Sequence, residues 1–214
     1  VVAAAADGLG MGIGFTLADV AAPEQVDTLF DEAEENLGGL DVLVNNAGIA
    51  GPTAPIEEVT PEQWQRVMAV NVNGQFHCVR RAVPLLKAAG GGSIVNMSSA
   101  AGRLAFPLRA PYATSKRAVL GLTETMAMEL GPHGIRVNAI LPGPVEGPRI
   151  DNVIRAKAEA KGIDFEQERQ VMVSGTSLRR MVTAADIANM VLFLCSDAGR
   201  NISGRPLGPM PGTT

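Results

Sequence analysis

The chain has 214 residues, 46% apolar and 19% charged, which is enough for one domain with a real core and ordinary for a globular enzyme. A formal net charge of −4 offers no basic face for nucleic acid or an anionic membrane, and no apolar run reaches the length of a membrane span. With aromatics at 4%, the core must be built mainly from Ala, Val, Leu, Ile and Met.

The first fourteen residues are rich in Ala and Gly and lack the basic-then-apolar pattern of a secretion signal. Past Pro23, residues Val26, Leu29, Phe30, Ala33 and Leu37 keep helical spacing. Asp41–Asn45 is nearly continuous in apolar residues, as a strand buried on both faces requires. Thr60-Pro61-Glu62-Gln63 then supplies an N-cap, a proline at the first helical position and a capping-box partner. That helix runs through Trp64, Val67 and Met68 towards Leu85 and Leu86. Ser93–Met97 is a second strand. A long helix follows Pro111 and stops at Gly131-Pro132, and Arg136–Leu141 is a third strand. Ile150–Gln170 is charged and helical in pattern, inserted after a Pro-Gly strand end. Thr183 and Asp186 open a last helix that turns Ile187, Met190, Val191 and Leu194 inward. Cys78 and Cys195 fall far apart in helical segments and read as buried free thiols, which suits the cytoplasm. There is no internal repeat and no low-complexity linker. Strands alternating with helices predict an α/β fold, with a parallel sheet covered on both faces and one domain over residues 1–214.

In open parallel sheets, ligands bind outside the carboxyl ends of the strands. Polar motifs stand at three such ends: Asn45-Asn46-Ala47-Gly48, Ser98-Ser99 and Pro142-Gly143-Pro144. Tyr112 and Lys116 are four apart at the start of a predicted helix, so they share a face one turn apart. A tyrosine hydroxyl titrates near ~10 in isolation, and a nearby ammonium favours its phenolate, which suits it to proton transfer at a carbonyl or alcohol oxygen. Ser99, thirteen positions earlier, is placed to hydrogen-bond the same oxygen. Tyr-x-x-x-Lys alone is a weak signal, but Tyr112 is the only tyrosine in the chain.

Taken in order, Asn45-Asn46-Ala47-Gly48, Asn71 within Val70–Gly74, Ser99, Tyr112-Ala113-Thr114-Ser115-Lys116 and Pro142-Gly143 resemble the motifs of the short-chain dehydrogenase/reductase family, from about Asp19 to Gly204. The resemblance implies a single Rossmann-like doubly wound parallel sheet. It implies hydride transfer between a nicotinamide cofactor and a carbonyl or secondary alcohol, as in oxoacyl-thioester reductases and alcohol or sugar dehydrogenases. By the same resemblance, Tyr112 is the general acid/base. Lys116 lowers its pKa and holds the nicotinamide ribose. Ser99 positions the substrate oxygen, and Asn71 anchors a water in the proton relay behind Lys116. Asn46, Ala47 and Gly48 would line the adenine and ribose channel, and Asp19 and Val20 would meet the adenine. Pro142 and Gly143, with Val145 beyond them, would border the nicotinamide. The residues from 145 to 175 would form a substrate lid, and the assembly would be a homotetramer or dimer. His77 and His133 match nothing catalytic.

The family's glycine loop is altered here. One register sets Ala3-Ala4 in place of Thr-Gly and keeps Gly8 and Gly10 around Leu9; another sets Asp7-Gly8 there and keeps Gly12 and Gly14. The first is preferred, because Met11 then begins the following helix, and either lets backbone amides cradle a pyrophosphate. Asp7 would repel a 2′-phosphate, which favours NAD without excluding NADP. After Gly14 the chain passes straight to Phe15–Val20, which resembles the family's third strand and its end, so the second strand and its flanking helices are missing. An excised segment and a real deletion both explain this. Pro206, Pro209 and Pro211 would interrupt a central strand at the C-terminal end and put the usual dimer contact there in doubt. The reading is therefore an active oxidoreductase on a small alcohol or ketone. The alternative is a binding or regulatory protein of the same fold with impaired cofactor binding. An epimerase or dehydratase of the extended relatives ranks last, because its larger substrate domain is absent. Arg149, Arg155 and Lys157 either meet an anionic substrate or form a solvated helix face.

Overall fold

The computed structural model describes residues 14–208. Its elements in chain order are α1 (Pro23–Leu37), β1 (Val42–Asn45), α2 (Pro61–Met68), α3 (Gly74–Ala88), β2 (Gly92–Met97), α4 (Ala110–Leu130), β3 (Ile135–Ile140), α5 (Pro148–Lys161), α6 (Phe165–Ser174), α7 (Ala184–Cys195) and β4 (Pro206–Leu207). The four strands pair in the order β1-β2-β3-β4, all parallel.

The helix starts follow from their capping residues. Thr60 accepts from the Gln63 amide and Thr183 from the Asp186 amide, each closing a reciprocal capping box. Asp164 does the same for α6. The long helix α4 ends at Leu130 with Gly131 as its C-cap, as the Gly131-Pro132 signal predicts, although Gly131 keeps helical φ. A 3-10 turn over Gly131–His133 follows, and the chain reverses at Gly134, whose φ of 72° is cheap only for glycine. Between α2 and α3 the ladder is not α-helical: residues Ala69–Asn73 form a π-turn, so the expected single helix is two helices with a widened turn between them.

Both faces of the sheet's centre are covered. On one, Ile94, Ile135 and Val137 pack with Val26 and Phe30 of α1, Val79, Ala82 and Leu86 of α3, and Met126 and Leu130 of α4. On the other, Val95, Met97 and Ile140 meet Leu194 of α7, with Ile187, Met190 and Val191 half-buried beside it. Cys78 and Cys195 are free thiols on α3 and α7, the first buried and the second half-buried.

The N-terminal edge of the sheet corrects three expectations. β1 is not buried on both faces: Val42 and Val44 are 37% and 40% exposed. Phe15–Asp19 is not a strand, and Phe15 and Leu17 are exposed, because no ladder reaches them among the described residues. Leu37 is exposed at the end of α1. Among the described residues no strand pairs beyond β1, which leaves Val42 and Val44 at an edge of the sheet. At the other edge, β4 is two residues long and pairs Pro206 with Ala139 and Leu207 with Ile140. Pro206 is tolerated there because, among the described residues, no further strand needs its amide. The altered glycine loop, with the cofactor residues Gly8, Leu9 and Gly10 and the acidic Asp7, lies outside the described residues.

Candidate active site

The carboxyl ends of β1, β2 and β3 lie side by side, with Asn45 opposite Asn96 and Met97 opposite Ile140. A buried polar chain ties them to α4. Asn45 Nδ2 donates to Asn96 Oδ1 at 2.9 Å, and Asn96 Nδ2 donates to Thr123 Oγ1 at 2.9 Å.

Tyr112 and Lys116 occupy the first two turns of α4, as their spacing predicts. Lys116 is 3% exposed and its Nζ donates to the Met97 carbonyl at 2.7 Å. Its Nζ stands 5.7 Å from the centroid of the half-buried Tyr112 ring. Burial pulls the lysine pKa from 10.5 down to about 8, and the charge of Arg149 acts in the same direction. An ammonium has three N–H donors and Met97 takes one. The others stand beside Gly48, where a β-carbon would come within 3.4 Å of Lys116 Nζ and 3.2 Å of Asn71 Oδ1. Glycine keeps that space open.

Asn71 is wholly buried in the π-turn. Its Oδ1 accepts from the Ile49 amide at 2.8 Å, and its Nδ2 donates to the Ile49 carbonyl and to Ser115 Oγ, both at 3.0 Å. Ser115 Oγ donates in turn to the Tyr112 carbonyl at 2.8 Å. Asn71 therefore clamps the loop after β1 to the first turn of α4. The distorted helix is the means by which it reaches both.

Ser99 is half-buried, and its Oγ accepts from the Ala101 amide at 3.2 Å. Its neighbour Ser98 is buried and donates to the Lys116 carbonyl at 2.7 Å, fixing the β2 end against α4. The Pro142 carbonyl accepts from the Ala100 amide at 2.9 Å, so the loop after β3 is held to the loop after β2. Val145, past the half-buried Gly143, pairs with Val182 in an isolated parallel bridge, which closes the base of the α5–α6 excursion.

Other sequence candidates lie apart from this cluster. Asp19 accepts from the Ala21 amide at 3.0 Å and from Arg66 at 3.1 Å, and these bonds hold its carboxyl below the ordinary range. Val20 packs where Gly74 opens α3, and its carbonyl lies 3.0 Å from His77 Nδ1, so His77 is structural. His133 is exposed. Asn46 and Ala47 are exposed on the loop after β1, the Asn46 amide donating to the Val44 carbonyl at 3.0 Å, and the half-buried Gly48 follows.

A cleft of about 630 Å³ opens beside this cluster. The segment from Gly48 to Thr53 lines one side. Arg149, Asn152, Val153 and Ala156, which repeat on one face of α5, line the other. Arg109 lines it too, and sequence reasoning missed this residue. Arg109 caps α4, is 2% exposed, and lies with its guanidinium carbon 5.3 Å from the Tyr112 ring centroid. Burial lowers its pKa; Tyr112 opposes that shift and the charge of Arg149 adds to it. The legible signal was its place three residues before Tyr112, at the mouth of the helix. Lys157, by contrast, lies with its Nζ 3.9 Å from the Phe106 ring centroid, and Arg155 faces Asn152 and Phe165.

A family model described as enoyl-(acyl carrier protein) reductase matches residues 1–208. The chain is 36% identical over 188 residues to the D-beta-hydroxybutyrate dehydrogenase of Rhizobium meliloti (strain 1021), covering 87% of this chain and 72% of that protein. The chain belongs to the short-chain dehydrogenase/reductase family. Among solved structures, an NAD+-bound xylitol dehydrogenase is 32% identical, with a TM-score of 0.89 over 92% of this chain and 78% of that one. A structure of ElxO with NADP bound is 28% identical, with a TM-score of 0.81 over 92% of this chain and 76% of that one. Short-chain dehydrogenase/reductase membership makes the protein an oxidoreductase that uses a nicotinamide cofactor on a CH–OH or carbonyl group. The residues present fit such a cofactor: the free N–H donors of buried Lys116 and the open space over Gly48 suit hydroxyls of a ribose.

Proposed function

We propose that Tyr112 is the general acid/base of this dehydrogenase/reductase and that Lys116, Ser99 and Asn71 complete its site. The observation that carries the reading is the buried Lys116, which spends one donor on Met97 and keeps the rest beside Gly48, one turn from Tyr112. When bound, the nicotinamide supplies the hydride donor or acceptor. Tyr112 gives its phenolic proton to the substrate oxygen in reduction and takes it back in oxidation. Ser99 donates to the same oxygen and fixes its orientation. Asn71 holds the loop after β1 and the first turn of α4 in one geometry. Asn46, Ala47, Gly48, Pro142, Gly143 and Val145 line the cofactor path, with Asp19 and Val20 towards its adenine end.

The acidic Asp7 in the glycine run supports NAD over its 2′-phosphorylated counterpart. The α5–α6 excursion, hinged at the Val145–Val182 bridge, acts as the substrate lid, because one face of α5 lines the cleft. Residues 1–214 serve as one functional domain. The exposed faces of the long helices, with Phe76 and Met128 uncovered, support a homotetramer or dimer. The free thiols of Cys78 and Cys195 support a cytoplasmic setting; among the described residues no helix is long and apolar enough to cross a membrane. The reading is tested by following reduced nicotinamide absorbance over a panel of secondary alcohols and ketones with NAD and with NADP. Turnover of at least one substrate, faster with NAD, is expected. Binding of neither cofactor contradicts it.

A further inference from the structure

Arg109 is an unusual residue to find buried. Two of the five N–H donors of a guanidinium have partners here: one bond runs to the Ala50 carbonyl at 2.7 Å and one to Thr53 Oγ1 at 3.2 Å. Its Nε is buried with no hydrogen-bond partner among the described residues. Among the described residues no carboxylate pairs with it or with Arg149. Among the described residues, no acidic one lines the cleft that the two arginines share. The residue before Arg109, Leu108, sits at a φ of 64°, a left-handed conformation that only surrounding structure can impose on a leucine. The chain as a whole is acidic, with a net charge of −4, so this cationic cleft is local and not part of a basic surface.

Burying a cation without a counter-charge is costly, and folds retain the arrangement where an anion completes it. We propose that the cleft takes a short hydroxy- or oxo-carboxylate, whose carboxylate is held between Arg109 and Arg149. This rests on the reading of Tyr112 as the acid/base and names the substrate class of that same site. The guanidinium lies over the Tyr112 ring, so an anion at Arg109 and a carbonyl oxygen at the phenol belong to one small molecule. Arg109 supplies the planar fork that suits a carboxylate, from a position fixed by its bonds to the loop after β1. Arg149 is exposed on α5, so it reaches the anion from the far wall and closes with the helix. Asn152, one turn further along the same face, offers a neutral donor. Arg155 and Lys157 take no part, since their charged groups are engaged with Asn152 and with aromatic rings.

The test has a binding arm and a turnover arm on the full chain. Butyrate, which cannot react, is titrated calorimetrically into the protein with NADH present. Turnover compares 3-hydroxybutyrate with its methyl ester, the same skeleton without the charge. The proposal expects butyrate to bind, and kcat/KM for the acid to exceed that for the ester about a hundredfold. Arg149→Gln weakens butyrate binding and narrows that ratio about tenfold, and Arg109→Gln does more. Because Arg109 also braces a loop, Arg149→Gln on the exposed helix keeps the test valid if Arg109→Gln fails to fold. An ester oxidised as well as the acid overturns the carboxylate site and leaves the Tyr112 reading intact. Butyrate binding that Arg149→Gln weakens, with neither compound turned over, supports the anion site and places the failure in the Tyr112 reading. No butyrate binding with neither compound turned over overturns both.

Discussion

Lys116 reaches across from α4 to the last carbonyl of β2, and its Nζ donates to Met97 at 2.7 Å in a site where the lysine is 3% exposed. The bond is a weak return for burying an ammonium. With its pKa lowered from 10.5 to about 8, the folded state bears a penalty of about 3 kcal/mol while the lysine stays charged. A functional residue held at a cost to stability is the expected signature of an active site.

Lys116→Met removes that penalty and leaves the Met97 carbonyl with only the long bond from Gln75 Nε2 at 3.5 Å, at a cost of about 1–3 kcal/mol. At pH 7 the variant is expected to match or exceed wild-type stability, by about 1 kcal/mol or 2–4 °C in Tm, while losing turnover. The sign with pH follows from linkage. Below about 8 the lysine is protonated in both states and the penalty is complete. Between about 8 and 10.5 the unfolded chain holds more protons than the folded one, so wild-type stability rises relative to the variant. Thermal melts of both proteins at pH 7, 9 and 10 check this; an advantage of the variant that grows with pH contradicts it.

Asn71→Ala strips the side-chain partners from the half-buried Ile49 amide and carbonyl and removes one of the two partners of Ser115 Oγ. A loss of about 2–4 kcal/mol is expected. Urea unfolding measures it. At temperatures where the variant remains folded, kcat falls more than cofactor affinity, because the first turn of α4 carries Tyr112.

Gly48→Ala sets a methyl 3.2 Å from Asn71 Oδ1 and 3.4 Å from Lys116 Nζ. Relaxing that crowding costs about 1 kcal/mol in the free protein. The larger effect falls on the cofactor, since the methyl occupies the space beside the free lysine donors. Melting with and without NADH separates the two: the wild-type shift on adding NADH is expected to shrink sharply in the variant.

Much of this was written in the sequence, and the exceptions have causes. Capping boxes at Thr60 and Thr183 and the strands ending at Asn45 and Met97 are local signals, and they were legible. The π-turn at Asn71 was not, because one extra residue in a turn leaves hydrophobic spacing almost unchanged. The exposed Val42 and Val44 read as a doubly buried strand because the apolar pattern alone does not tell an edge strand from a central one. Arg109 was passed over because an arginine is ordinarily a surface residue, and its burial depends on a loop from β1 that no local pattern reveals. Lys116 was legible by spacing; its lowered pKa was not, since burial is a tertiary property.

The central claim is that Tyr112 moves the proton in hydride transfer. The most direct measurement compares Tyr112→Phe with wild type for both turnover and NADH binding. The variant keeps the ring beside Lys116 and Arg109 and removes only the hydroxyl. Turnover is expected to fall by about 10²–10⁴, the usual contribution of a positioned acid/base, while NADH binds within about twofold of wild type. A variant that turns over substrate at the wild-type rate would contradict the account.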